Sequence, residues 1–149
     1  MVYVSTHAGK RHRIIEDAVL VGSDILTDTS EVLPMPDQGF IYVADGVGGN
    51  CGGDQASQFI ITALLNWKDP DEDLRSFLVR TNDSLIAAAL EIGTAPNMAT
   101  TLTGICVSNE NYRLIHIGNT RAYVKQGKYL KQVTSDHTTF NWLMSRGGN

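Results

Sequence analysis

The chain has 149 residues, 42% of them hydrophobic and 19% charged, the make-up of one ordered domain rather than a disordered segment. Sixteen acidic residues against twelve basic ones leave a net charge of −4, which supplies no basic face for a nucleic acid. The richest apolar run, residues 59–65, is far short of the roughly 20 residues that span a membrane, and two cysteines in a chain this long make no disulfide framework, so a reducing, cytoplasmic setting is expected.

In chain order, residues 2–6 read as a first strand and residues 18–21 as a second. The N-terminal stretch MVYVSTHAGKRHR places its apolar residues before its basic ones, the reverse of a secretory signal. Residues 22–38 are mostly polar and close with Pro34 and Pro36, which predicts a long loop or a ragged hairpin. Phe40-Ile41-Tyr42-Val43-Ala44 is a short, almost fully apolar run, as a buried strand should be. It is expected to stop at Asp45, where a glycine cluster begins (GVGGNCGG, residues 46–53).

Two helices are predicted next. In the first, Ala56, Phe59, Ile60, Ala63, Leu64 and Trp67 fall on one face at steps of three and four. Before the second, Asp69-Pro70-Asp71-Glu72 offers an N-cap acid, a proline at the first helical position and a glutamate closing a capping box. Its buried stripe is Leu74, Phe77, Leu78, Thr81, Leu85 and Ala88 or Ala89, with Gly93 as C-cap. From residue 100 the period changes to two. Residues 101–107, 112–117, 122–125 and 129–133 read as four successive strands of an antiparallel meander, and 138–145 as a short closing helix. Strands, two helices and a strand meander predict an α+β fold, one domain over residues 1–149, in which helices cover antiparallel sheets.

The most informative chemistry is an acid at a strand end running into glycines, VADGVGG (residues 43–49). A P-loop would need a lysine and a hydroxyl after the last glycine, but Asp54 and Gln55 follow Gly53. A dinucleotide fingerprint starting at Gly46 and Gly48 would need a third glycine where Cys51 stands. Asp45 would repel a bare phosphate held by backbone amides, and a metal ion between carboxylate and phosphate removes that conflict. The plain alternative is that Asp45-Gly46 is only a turn. A second acidic pair, Glu16-Asp17, precedes the second strand; adjacent carboxylates repel, so they belong either in full solvent or beside a cation.

Taken together, these features resemble one family. An acidic pair before a strand, ADGVGG (residues 44–49), MATTL (98–102), IGNTRAY (117–123) and TSDHT (134–138), in this order from about Gly9 to His137, are similar to the protein phosphatase 2C family of metal-dependent serine/threonine phosphatases. The resemblance implies an antiparallel β-sandwich flanked by α-helices. It implies two Mn²⁺ or Mg²⁺ ions and a bridging water that attacks the phosphorus of phosphoserine or phosphothreonine in a phosphoprotein, in one step. By position, Asp45 would bridge both ions, the Gly46 carbonyl and Glu16 would bind one of them, and Asp17 would orient a metal-bound water. Hard divalent cations choose such oxygen donors, and a pair of ions lowers the pKa of a shared water.

Three departures from the family pattern matter. The family's phosphate-binding arginine falls on His12, flanked by Arg11 and Arg13; a one-residue shift lets either arginine grip the phosphate, and His12 can be read as the proton donor to the leaving oxygen. Asn119 stands where the family usually has an aspartate associated with a third metal. The largest departure is at the C-terminal side: no carboxylate side chain follows Asp136, whereas the family supplies two more aspartates. Two dications about 4 Å apart repel by about 17 kcal/mol even at an effective dielectric near 20. The chain by itself, truncated relative to the family, is therefore expected to bind at most one ion well and to be weak or inactive. A missing sheet edge would invite a dimer or strand exchange. The competing reading is a non-catalytic phosphatase-like module that binds a phosphoprotein or another partner. Thr100 and Thr101 are read as strand-packing residues, His116 as a sheet-face residue, Cys106 as a buried thiol, Arg121 as a brace of its turn, and Asp136-His137 as loop organisers.

Overall fold

The computed structural model describes residues 1–10, 14–47, 52–67, 73–93, 98–108 and 111–146. Its strands are β1 (Val2–Ser5), β2 (Asp17–Val21), β3 (Asp24–Leu26), β4 (Ser30–Leu33) and β5 (Gln38–Val47), followed by helices α1 (Gly53–Asn66) and α2 (Leu74–Glu91). Then come β6 (Ala99–Thr100), β7 (Leu102–Ser108), β8 (Asn111–Ile117), β9 (Tyr123–Gln126), β10 (Tyr129–Gln132) and a last helix, α3 (Thr139–Ser145).

The apolar run at 40–44 lies at the centre of the main sheet, whose order is β3-β2-β5-β7-β8 with β6 on the end of β5; every pairing is antiparallel. β5 is longer than its sequence predicts. It does not stop at Asp45, because Gly46 and Val47 pair with Thr100 and Ala99 of β6. The polar stretch 22–38 is neither a long loop nor a hairpin of its own but holds two short strands that pair elsewhere: β3 turns back on β2, and β4 pairs with β1. The expected four-strand meander is also corrected. β7 and β8 form a hairpin in the main sheet, while β9 and β10 form a separate two-stranded ribbon. The segment between them turns away to pair with residues 133–137 instead, through Val133 N–H to Ala122 O and His137 N–H to Gly118 O.

Two apolar layers hold the sheet. On one face, Ile60, Ile61 and Leu64 of α1 and Phe77 of α2 pack on Ala18, Leu20, Tyr42, Ala44 and Leu102. Each fully buried aliphatic of this kind contributes about 1.5–3 kcal/mol. On the other face, Val4 of β1 meets Val19, Val21 and Leu26, with Val2, Leu33 and Ile41 around them, so the β1–β4 ribbon lies against the main sheet. The architecture is α+β, antiparallel sheets with helices on an outer face, as the sequence predicts.

Both long helices form where the periodicity places them, with two corrections. Ile61, outside the predicted stripe, is fully buried in α1, whereas Phe59 and Ala63 are half-buried. α1 is covered by α2 as well as the sheet: Trp67 stacks on Phe77 at 4.9 Å and on Phe40 at 5.9 Å, which widens its apolar arc. The cap of α2 is Asp73, whose Oδ1 accepts from the N–H groups of Arg75 and Ser76. The Ser76 hydroxyl, donating to Asp73 Oδ2 at 2.6 Å, and then these backbone hydrogen bonds hold its carboxyl below the usual range. The capping box proposed at 69–72 lies outside the described residues. In α2 Phe77, Thr81, Leu85 and Ala89 are buried as predicted, and Gly93 follows the helix at φ +74°. Cys106 is half-buried and free. Among the described residues no helix is long and apolar enough to cross a membrane.

Candidate metal centre

Asp17 opens β2, and Asp45 lies near the end of β5. The antiparallel register makes them direct cross-strand partners, so their side chains leave the same face of the sheet. That face is the one opposite α1, because Val19, Val21 and Ile41 on it belong to the cluster under the β1–β4 ribbon. The Asp17 carboxyl is pushed above the ordinary aspartate value of 3.8, first by burial, then by the charge of Asp45, by a side-chain hydrogen bond to Asp45 and by the charge of Glu16. Two carboxyls placed opposite each other call for positive charge, and a cation supplies it.

Glu16 reaches the site from the other side. Its carbonyl accepts a hydrogen bond from the Gly46 N–H at 3.0 Å. Its carboxylate runs to the start of α1, where a Cβ on Gly53 would sit 2.8 Å from Glu16 Oε1. The helix dipole favours an anion there. A Cβ on Gly46 would drive into the Gly53 carbonyl and come within 2.6 Å of Glu16 O. Glycine is required at 46 because the end of β5, the Glu16 backbone and the first turn of α1 meet there at backbone contact, whereas at 53 a Cβ would first crowd the movable Glu16 carboxylate.

The structure therefore brings Asp17 and Asp45 together, with the Gly46 backbone and Glu16 beside them. Among the described residues, no group of three or more His, Cys, Asp or Glu is arranged to hold a metal ion. The donors present are all hard oxygens, two of them paired carboxyls that call for positive charge, and this chemistry fits one divalent ion of the Mn²⁺ or Mg²⁺ type. Arg11, His12, Arg13 and Cys51 lie outside the described residues. Asn119 is exposed.

Sequence reading missed a group of threonines beside the carboxyls. The Asp45 N–H donates to Thr101 Oγ1 at 3.1 Å, and Thr100 Oγ1 donates to the Asp45 carbonyl at 3.1 Å. Thr101 Oγ1 and Thr120 Oγ1 are 2.7 Å apart. The available signal was the threonine pair in MATTL, which strand packing alone seemed to explain. His116 is half-buried, its Nδ1 bonded to Thr103 Oγ1 and its Nε2 to Ser135 O, both at 2.9 Å. Arg121 grips Asp136 with two nitrogens: Nε donates to both carboxylate oxygens and Nη2 to Oδ2 at 2.6 Å. That pairing holds the Asp136 carboxyl below the usual range. His137 accepts from the Gly118 N–H and donates its own N–H to the Gly118 carbonyl, so Asp136-His137 does organise this loop.

No family model matches the chain. It is 39% identical over 113 residues to the serine/threonine protein phosphatase PstP of Mycobacterium tuberculosis, an alignment covering 72% of this chain and 22% of that protein. It is 28% identical over 120 residues to the serine/threonine phosphatase stp of Listeria monocytogenes, covering 74% of this chain and 48% of that one. The chain thus spans less than half the length of these curated relatives. Among solved structures, the catalytic domain of PstP in complex with two manganese ions superposes with a TM-score of 0.70 at 31% identity, over 99% of this chain and 61% of that domain.

Proposed function

This chain belongs to the protein phosphatase 2C family of serine/threonine phosphatases, and we propose that it carries out metal-dependent hydrolysis of phosphoserine and phosphothreonine in proteins. The observation that carries this reading is the register that makes Asp17 and Asp45 direct cross-strand partners, close enough that the Asp45 charge helps raise the Asp17 pKa after burial. Asp45, the Gly46 carbonyl and Glu16 would supply the oxygens that hold the cation. A divalent ion bound there supplies Lewis acidity and a water of lowered pKa. Asp17, against Asp45, accepts a hydrogen bond from the attacking water and so directs its lone pair at phosphorus. Arg11 or Arg13 grips the phosphate oxygens, where a planar guanidinium makes two parallel hydrogen bonds. The attacking water gives one proton to bulk solvent, its hydroxide oxygen bonds to phosphorus as the bond from phosphorus to the serine or threonine oxygen breaks, and His12 gives that leaving oxygen its proton.

This chain alone holds too few carboxylates for two dications, so it binds one ion and turns over slowly. The test is phosphate release from a phosphothreonine peptide by the full chain, with Mn²⁺ and with EDTA. Slow release that needs Mn²⁺ and disappears in Asp45→Asn is expected. Release undiminished by EDTA would overturn the mechanism. Phosphopeptide binding with no release at all would favour the second reading, a phosphatase-like binding module. That reading draws on the lack, among the described residues, of a three-residue metal cluster.

A further inference from the structure

We propose that Thr101 is a positioning residue of the cation site, fixing Asp45 through its backbone and tying it to the turn at 118–121; the inference rests on the reading of Asp45 as a cation ligand. The Asp45 side chain is exposed and β5 ends two residues later, so its carboxylate is held in place chiefly through its main chain. Both main-chain polar groups of Asp45 are held by one short segment. Its N–H donates to Thr101 Oγ1, and its carbonyl accepts from the Thr101 N–H at 2.9 Å and from Thr100 Oγ1. Thr101 is only 4% exposed. A hydroxyl in such a dry place holds its partner firmly, and its loss leaves the Asp45 N–H unpaired.

Strand packing does not account for that hydroxyl. Valine has the same shape and suits a buried strand position at least as well, so the oxygen is the part of Thr101 that needs a role. After accepting from Asp45, Thr101 Oγ1 meets Thr120 Oγ1 at 2.7 Å. Thr103 Oγ1 donates to the Thr120 carbonyl at 3.1 Å and also meets His116 Nδ1. The hydrogen bonds therefore run from the Asp45 backbone to the loop that Arg121 and Asp136 clamp. Partners of metal ligands set ligand orientation, and their loss typically weakens metal binding by about 10–100-fold.

The test compares Thr101→Val and Thr101→Ser with Ile61→Val, a buried change in α1 that lowers stability without touching the network. In the metal-free chain, Thr101→Val should speed amide hydrogen exchange at Asp45 by about tenfold relative to Ala44, with Thr101→Ser restoring protection. Calorimetry should show Mn²⁺ binding weakened about tenfold in Thr101→Val, restored in Thr101→Ser and unchanged in Ile61→Val. Should Thr101→Val fail to fold, Thr120→Val, which keeps the Asp45 hydrogen bond and cuts the outward link, should give a smaller loss of Mn²⁺ affinity. Wild-type binding with an unaltered Thr101→Val, or an unaltered Thr120→Val in its place, overturns the positioning role alone. No Mn²⁺ binding by the wild type overturns the cation site on which it rests.

Discussion

Asp17 carries an electrostatic cost in the folded chain. Burial and the facing Asp45 raise its pKa above 3.8, so its ionised form is disfavoured in the folded chain relative to the unfolded one. The sign follows: the fold loses nothing from this group below the ordinary aspartate pKa, and loses stability as pH rises from there through the raised folded pKa. Asp17→Asn removes that loss. In EDTA, thermal melts of wild type and Asp17→Asn should nearly coincide near pH 3.5 and separate towards pH 7, with the variant the more stable. A wild type that melts higher at pH 7 would contradict the carboxyl contact. The same residue shows what sequence can and cannot deliver. The pair Glu16-Asp17 is readable as two adjacent acids that want a cation, but its pairing with Asp45 depends on the β2–β5 register. No local pattern sets that register.

At the scale of elements, the strongly periodic segments were legible and the weakly patterned ones were not. α1 and α2 announce themselves through apolar steps of three and four, and the run at 40–44 through its lack of polar residues. The extension of β5 through Asp45 to Val47 was hidden, because its partner β6 is two residues long and fifty residues away. α2 starts at Leu74, capped by Asp73, and the acidic stretch 69–72 that the sequence offers as a cap lies outside the described residues. β5 and β7 meet so closely that a Cβ on Gly104 would lie 2.6 Å from Tyr42 Cα. Gly104→Ala should therefore destabilise the fold by about 1–3 kcal/mol, read as a Tm lowered by about 2–10 °C for a chain of this size. An unchanged Tm would contradict the packing of this strand pair. Tyr42 itself is fully buried, and its hydroxyl is the one buried side-chain polar atom among the described residues without a hydrogen-bond partner.

The whole molecule is layered, and the layers place the site. Helices cover one face of the main sheet and the β1–β4 ribbon part of the other. Asp17 and Asp45 open from that second face at one end of the central strand pair, while Glu16 and Gly46 meet the start of α1. Composition and the ordered motifs pointed to the family; the register brings Asp17 and Asp45 into contact and seats Glu16 beside Gly46. The most direct measurement is calorimetric titration of Mn²⁺ into the full chain at neutral pH, beside Asp45→Asn at a temperature where both are folded. The account predicts one ion per wild-type chain and no measurable binding by the variant. Equal binding by both proteins, or none by the wild type, would contradict it.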